Sequence, residues 1–153
     1  MEAVRRRDAG VLRHTTSRNA RVVVPVAANP GYQAFLILRV GFTVAPIVAG
    51  FDKFANVLAD WSKYLAPVIP KTIGVAPETF MRGVGVIEIV AGVLVAVLPR
   101  YAAYVVAAWL AAIIVNLLIQ GTYLDVALRD LGLMLGAIAL GRLAQGVHEW
   151  KDR

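Results

Sequence analysis

The stretch GVLVAVLPRYAAYVVAAWL, Gly92–Leu110, decides how this chain is organised. Two apolar runs meet in it, and Pro99 and Arg100 are the whole connection between them. Taken at full length the runs are about Thr79–Leu98 and Tyr101–Gln120. Each supplies the roughly 20 residues that an α-helix needs to cross a hydrocarbon core of about 30 Å. With so short a link the two helices are predicted to form an antiparallel hairpin.

Working outward, Ala34–Lys53 and Val126–Gln145 are two further runs of the same kind, and GTYLD, Gly121–Asp125, closes the third run onto the fourth. Backbone polar groups in lipid must be satisfied within the chain, which leaves helices or closed barrels, and none of the four runs shows the two-residue alternation of a barrel strand. The fold class that follows is an all-α membrane protein, a four-transmembrane-helix bundle over about residues 33–146. Composition agrees: 59% of the 153 residues are hydrophobic and the mean hydropathy is +0.67, far too apolar for a soluble domain of this size.

The net charge of +6 does not point to nucleic acid. Arg5, Arg6, Arg7, Arg13, Arg18 and Arg21 all precede the first apolar run, in a segment, residues 1–32, that lacks hydrophobic periodicity and reads as a disordered cytoplasmic tail. Val22–Ala28 is too short, and too interrupted by Pro25, to be a cleaved signal core. Ten Lys and Arg residues lie on the side of the termini and the Pro99-Arg100 turn, against five on the other side. The positive-inside bias therefore predicts an inner-membrane protein with both termini, including a short tail at 147–153, in the cytoplasm. The long connection, 54–78, falls outside. Its first half, with Phe51, Phe54, Leu58, Trp61 and Leu65 at helical spacing, predicts an interfacial helix continuing from helix one; its second half, broken by Pro70, Gly74 and Pro77, predicts a loop.

Charges inside a span are functional candidates, each costing about 2.5–3.5 kcal/mol on insertion scales unless paired or hydrated. Arg39 and Glu88 are the deep ones. On opposed helices they are expected to form a buried polar pair, with Glu88 as a proton carrier or ligand as the sharper alternative. Near the outer surface Asp52 and Lys53, Asn116 and Gln120, and Arg129 and Asp130 fall at similar depth. These six, lidded by Phe54 and Trp61, are the candidate quinone or lipid pocket, with a solvated polar cap as the plain alternative. Small-residue spacings such as Gly132-x3-Gly136 predict close helix packing.

The sequence also excludes chemistry. It has no cysteine, and its two histidines, His14 and His148, cannot bracket a haem inside a bundle. No metal site is expected. Nucleotide, hydrolase and metalloprotease motifs are absent.

LILRVGFTVAPIVAGFDKF (Leu36–Phe54), GVIEIVAGVLV (Gly85–Val95) and LRDLGLMLGAIAL (Leu128–Leu140) together resemble the DoxX-like family of small four-helix membrane proteins. The resemblance covers about Phe35–Leu143 and rests on Arg39, on Gly50 with Lys53, and on Glu88 with Gly92. It implies association with quinone-linked oxidation or with membrane-bound oxidoreductase assemblies. Family membership implies fold more firmly than chemistry. The expectation is a non-catalytic membrane subunit or anchor of a redox complex, with membrane lipids and protein partners around it. A quinone-reducing small subunit, with quinone as its cofactor, and a small proton-coupled transporter using Glu88 are the alternatives.

Overall fold

The computed structural model describes residues 26–151, so the Arg-rich tail expected before them lies largely outside the described residues. The described chain is helical: α1 (Pro30–Ala55), α2 (Val68–Ile73), α3 (Pro77–Val97), α4 (Pro99–Gln120) and α5 (Leu124–Lys151), with 3-10 turns at Val26–Ala28 and Trp61–Tyr64. Helices α1, α3 and α4 are each long and apolar enough to cross a membrane. Only 11%, 22% and 28% of their apolar windows are buried within the protein, so most of their surface suits lipid rather than a protein core. Helix α5 matches them in length, but Arg129, Asp130 and Arg142 interrupt its apolar run.

Local chemistry sets the ends. Asn29 accepts a hydrogen bond from Gly31 N at 2.8 Å and Pro30 opens α1, a preorganised start for a helix. The helix runs through Pro46 and stops at Asn56, which takes the left-handed conformation at φ 51° and donates its N–H to the Asp52 carbonyl at 2.6 Å. Pro99 likewise occupies the first turn of α4, where its missing N–H is not needed. The hairpin expected from the Pro99-Arg100 link is present: α3 ends at Val97 and α4 begins at Pro99.

The connection after α1 differs from its sequence reading. No interfacial helix continues from α1, because the Asp52 carboxylate takes the backbone N–H groups of Val57 and Leu58 at 3.0 Å and folds the chain back. Conversely, the part read as a loop contains α2, one and a half turns closed by Gly74 at φ 72°.

The long helices form two close pairs, α1 with α3 and α4 with α5, and the pairs meet along α1/α5 and α3/α4. At the end away from the long connection, here the tail end, the interior is apolar and made largely of small residues: Ala102, Ala103, Ala107, Ala137 and Ala144, with Phe35, Val95 and Leu140 between them. At the other end, the cap end, the connection lies across the bundle with Ala66 fully buried and Leu65 6% exposed.

Candidate functional site: a buried charge cluster

The site is positioned by a glycine crossing. A Cβ on Gly50 would stand 2.5 Å from the Gly85 carbonyl oxygen, and one on Gly85 would stand 2.6 Å from that of Gly50. Seven residues further along the pair, a Cβ on Gly92 would stand 2.7 Å from the Thr43 carbonyl oxygen. Side chains of any size are excluded at these contacts, so backbone meets backbone. The glycines also fix one antiparallel register for α1 and α3. Four residues beyond Thr43 and Gly92, it sets Arg39 opposite Ala96.

In that register Arg39 donates to the Ala96 carbonyl. Ala96 is in the last turn of α3, where carbonyls have no partner within the helix and the helix dipole favours a cation. The Arg39–Glu88 pair expected from sequence is therefore corrected. Glu88 faces Ile47, eight residues from Arg39 on α1, or about 12 Å along the axis. Lys53, six residues from Ile47 in the other direction, reaches Glu88 instead: Nζ donates to Oε2 at 2.5 Å, with the two side chains 4% and 11% exposed.

Around this ion pair the remaining polar groups assemble in layers. Lys53 Nζ lies 3.7 Å from the centre of the Trp61 ring, within cation–π range. The Trp61 indole N–H in turn donates to Asp52 Oδ2 at 2.7 Å. Asp52 thus does two jobs at once: it ends α1 and it fixes the aromatic ring that covers Lys53. Asn116 accepts from Ala66 N at 2.9 Å and donates to the Tyr64 carbonyl at 2.6 Å, while Gln120 donates to the Lys63 carbonyl at 2.6 Å. The rings of Tyr64 and Tyr123 meet at 4.7 Å. The end of α4 therefore clasps the connection that arrives from α1.

Asp130 is buried, 4% exposed, and is held at 3.2 Å by Arg129, whose own side chain is 65% exposed. The indole of Trp109 approaches the Glu88 carboxylate, yet its fully buried N–H makes no hydrogen bond.

The six residues grouped by sequence are thus divided between two structures. Asp52 and Asn116 share no hydrogen bond; the first is bonded within the turn after α1 and the second to the connection backbone. Lys53, expected at the rim, is buried beneath Trp61. Phe54, expected as part of a lid, is 47% exposed and its ring edge borders Gly85. Most of the polar atoms expected to receive a quinone ring are already engaged, while Gln120 Oε1 is buried without a hydrogen-bond partner. An open groove at the cap end, lined by Leu65, Pro67, Pro70, Val75 and Pro77 among others, contains none of the cluster. Sequence reasoning missed Trp109, an indole within the otherwise apolar middle of α4, residues 105–115, at the depth of Glu88, and that position was the available signal.

A family model described as DoxX matches residues 34–119. No curated protein and no solved structure matches the chain.

Proposed function

Taking as premise that the chain belongs to the DoxX family, we propose that it is a non-catalytic integral membrane subunit or anchor of a membrane-associated redox complex. It crosses the cytoplasmic membrane four times, with α5 as the fourth span and the tail end facing the cytoplasm. The observation that carries this reading is the use made of the polar residues at the cap end. Asp52, Trp61, Asn116 and Gln120 are bonded to one another or to the connection, an arrangement that serves architecture. The ten-to-five asymmetry of Lys and Arg supports the orientation.

Gentle purification, followed by mass spectrometry of co-migrating proteins, lipids and quinones, tests the assignment. A stoichiometric oxidoreductase partner supports it. A chain isolated alone with stoichiometric quinone and quinone-reductase activity would replace it with the small-subunit enzyme; proton-driven solute uptake into vesicles would replace it with a transporter. For orientation, Ser62→Cys should label with an impermeant thiol reagent in intact cells and Gly146→Cys should not. The chain has no cysteine of its own to interfere.

A further inference from the structure

The buried polar residues are unbalanced in charge and in place. Asp52, Lys53, Glu88 and Asp130 are the buried charged side chains among the described residues: three carboxylates to one ammonium. Asp52 is satisfied by N–H donors, and Glu88 is matched by Lys53. Asp130 has only Arg129, which reaches it from the surface. The buried Trp109 N–H approaches the Glu88 carboxylate without reaching hydrogen-bond geometry, and a buried donor so placed is better satisfied when a water or ligand meets it.

Asp52, Lys53 and Asp130 lie toward the cap end, and Glu88 and Trp109 lie near the middle of α3 and α4. Below them the interior packs Val95, Ala103, Val106, Ala107, Ala137 and Leu140, with no buried polar side chain among the described residues at that level, and Arg39, at the edge of this plug, is turned to the Ala96 carbonyl. Above Lys53 lies the Trp61 ring, held by one indole hydrogen bond to Asp52 and by its face on Lys53, and beside it the rest of the connection crosses the bundle with Leu65 and Ala66 buried.

We propose that Glu88, Asp130, Lys53 and Trp109 form a blind proton-binding site that exchanges with water at the cap end, past Trp61, and is closed to the tail end by the apolar plug. A proton arriving as hydronium is transferred to a carboxylate of the Glu88–Asp130 pair and leaves a water molecule, which the Trp109 N–H and the remaining carboxylate can hold. The added charge brings the buried carboxylates nearer to balance with the buried ammonium. The charged groups facing the site are Lys53 and Asp52 from α1, Glu88 from α3 and Asp130 with Arg129 from α5; α4 contributes the uncharged Trp109. The site rests on the membrane reading and is independent of any redox partner.

Two measurements on the full chain in oriented proteoliposomes test it. In pH-difference infrared spectra, acidifying the cap side alone should produce a protonated-carboxyl band. The band should weaken or vanish in Glu88→Gln or Asp130→Asn and persist in Glu78→Gln, which alters an acid in the first turn of α3. A band that ignores both site variants, or that follows pH on the tail side, overturns the proposal. Thiol accessibility provides a check that does not depend on those carboxylates. Trp109→Cys should react with a small impermeant reagent added to the cap side, several-fold faster when combined with Trp61→Ala, and Val106→Cys, in the plug, should react from neither side. Reaction of Val106→Cys, or reaction of Trp109→Cys from the tail side only, means that the site is not blind as described and overturns it.

Discussion

Replacing Glu88 with Gln tests the register on which the whole site depends. At 2.5 Å, and with an effective dielectric of about 20, the Lys53–Glu88 attraction is on the order of 6–7 kcal/mol before desolvation is subtracted. Burial of both side chains returns much of that, but removing one partner strands the other, at a cost of about 3–5 kcal/mol. Glu88→Gln and Lys53→Met should each destabilise on that scale, the second slightly more because it also removes the contact with the Trp61 ring. The double variant should cost less than the two singles together, by about 2–3 kcal/mol, the range found for groups in direct contact. Arg39→Gln provides the control. It should lose the bond to the Ala96 carbonyl, about 1–2 kcal/mol, and should add to Glu88→Gln within about 0.5 kcal/mol. Reversible unfolding in mixed micelles or nanodiscs reads the three single and two double variants against the parent protein. Coupling of Glu88 to Arg39, with simple additivity to Lys53, would refute the register and the argument built on it.

Other expectations follow from the same contacts. Gly50→Ala and Gly85→Ala place a Cβ within 2.5–2.6 Å of a facing carbonyl oxygen and should each cost at least about 1–3 kcal/mol by overpacking; Gly83→Ala, with open space around it, should change stability by less than about 0.5 kcal/mol. Asn116→Ala removes both hydrogen bonds that hold Tyr64 and Ala66 and should cost about 1–3 kcal/mol, with faster proteolysis in the 56–76 connection as the local readout. Gly132→Leu and Gly136→Leu should part company. Gly132 meets nothing, whereas Gly136 faces the Phe42 ring at 3.3 Å, so the first should leave the monomer intact and reveal any partner by its loss, and the second should destabilise the bundle itself.

Much of the fold was legible because it depends on features that act locally. The length of the apolar runs and the two-residue link at Pro99-Arg100 suffice to predict helices and one hairpin, and both are found. The site was legible only in part. Depth groups Asp52 and Lys53 with Asp130 near one end but sets Glu88 apart with Arg39, and which cation Glu88 meets depends on a sliding register between α1 and α3. Depth estimated at 1.5 Å per residue leaves Arg39 and Lys53 both within plausible reach of Glu88. Gly50, Gly85 and Gly92 decide between them, and their role emerges only when the carbonyl oxygens they admit are seen. Helical spacing misled at Phe51–Leu65 for a related reason. The apolar pattern is genuine, but Asp52 offers the backbone after α1 a competing set of hydrogen bonds, and Asn56 readily takes the left-handed turn.

The arrangement explains why the polar residues gather at one end of the bundle. Lys53 and Glu88 come from the α1/α3 pair, and Trp109 and Asp130 from the α4/α5 pair, so the cluster lies at the seam between the pairs. In lipid the hydrophobic effect does not drive one pair onto the other, and association relies on packing and hydrogen bonds. At the tail end small residues allow close packing. At the cap end packing is supplemented by the connection, which leaves α1 and is clasped by Asn116 and Gln120 of α4. The connection therefore crosses the same seam that the charge cluster occupies. Releasing the clasp would loosen the cover over Lys53 without touching the ion pair, so Asn116→Ala should quicken solvent access to the site while Glu88 and Lys53 remain coupled in a mutant cycle. Loss of that coupling in the Asn116→Ala background would mean that the cap, rather than the glycine crossing, sets the position of the pair.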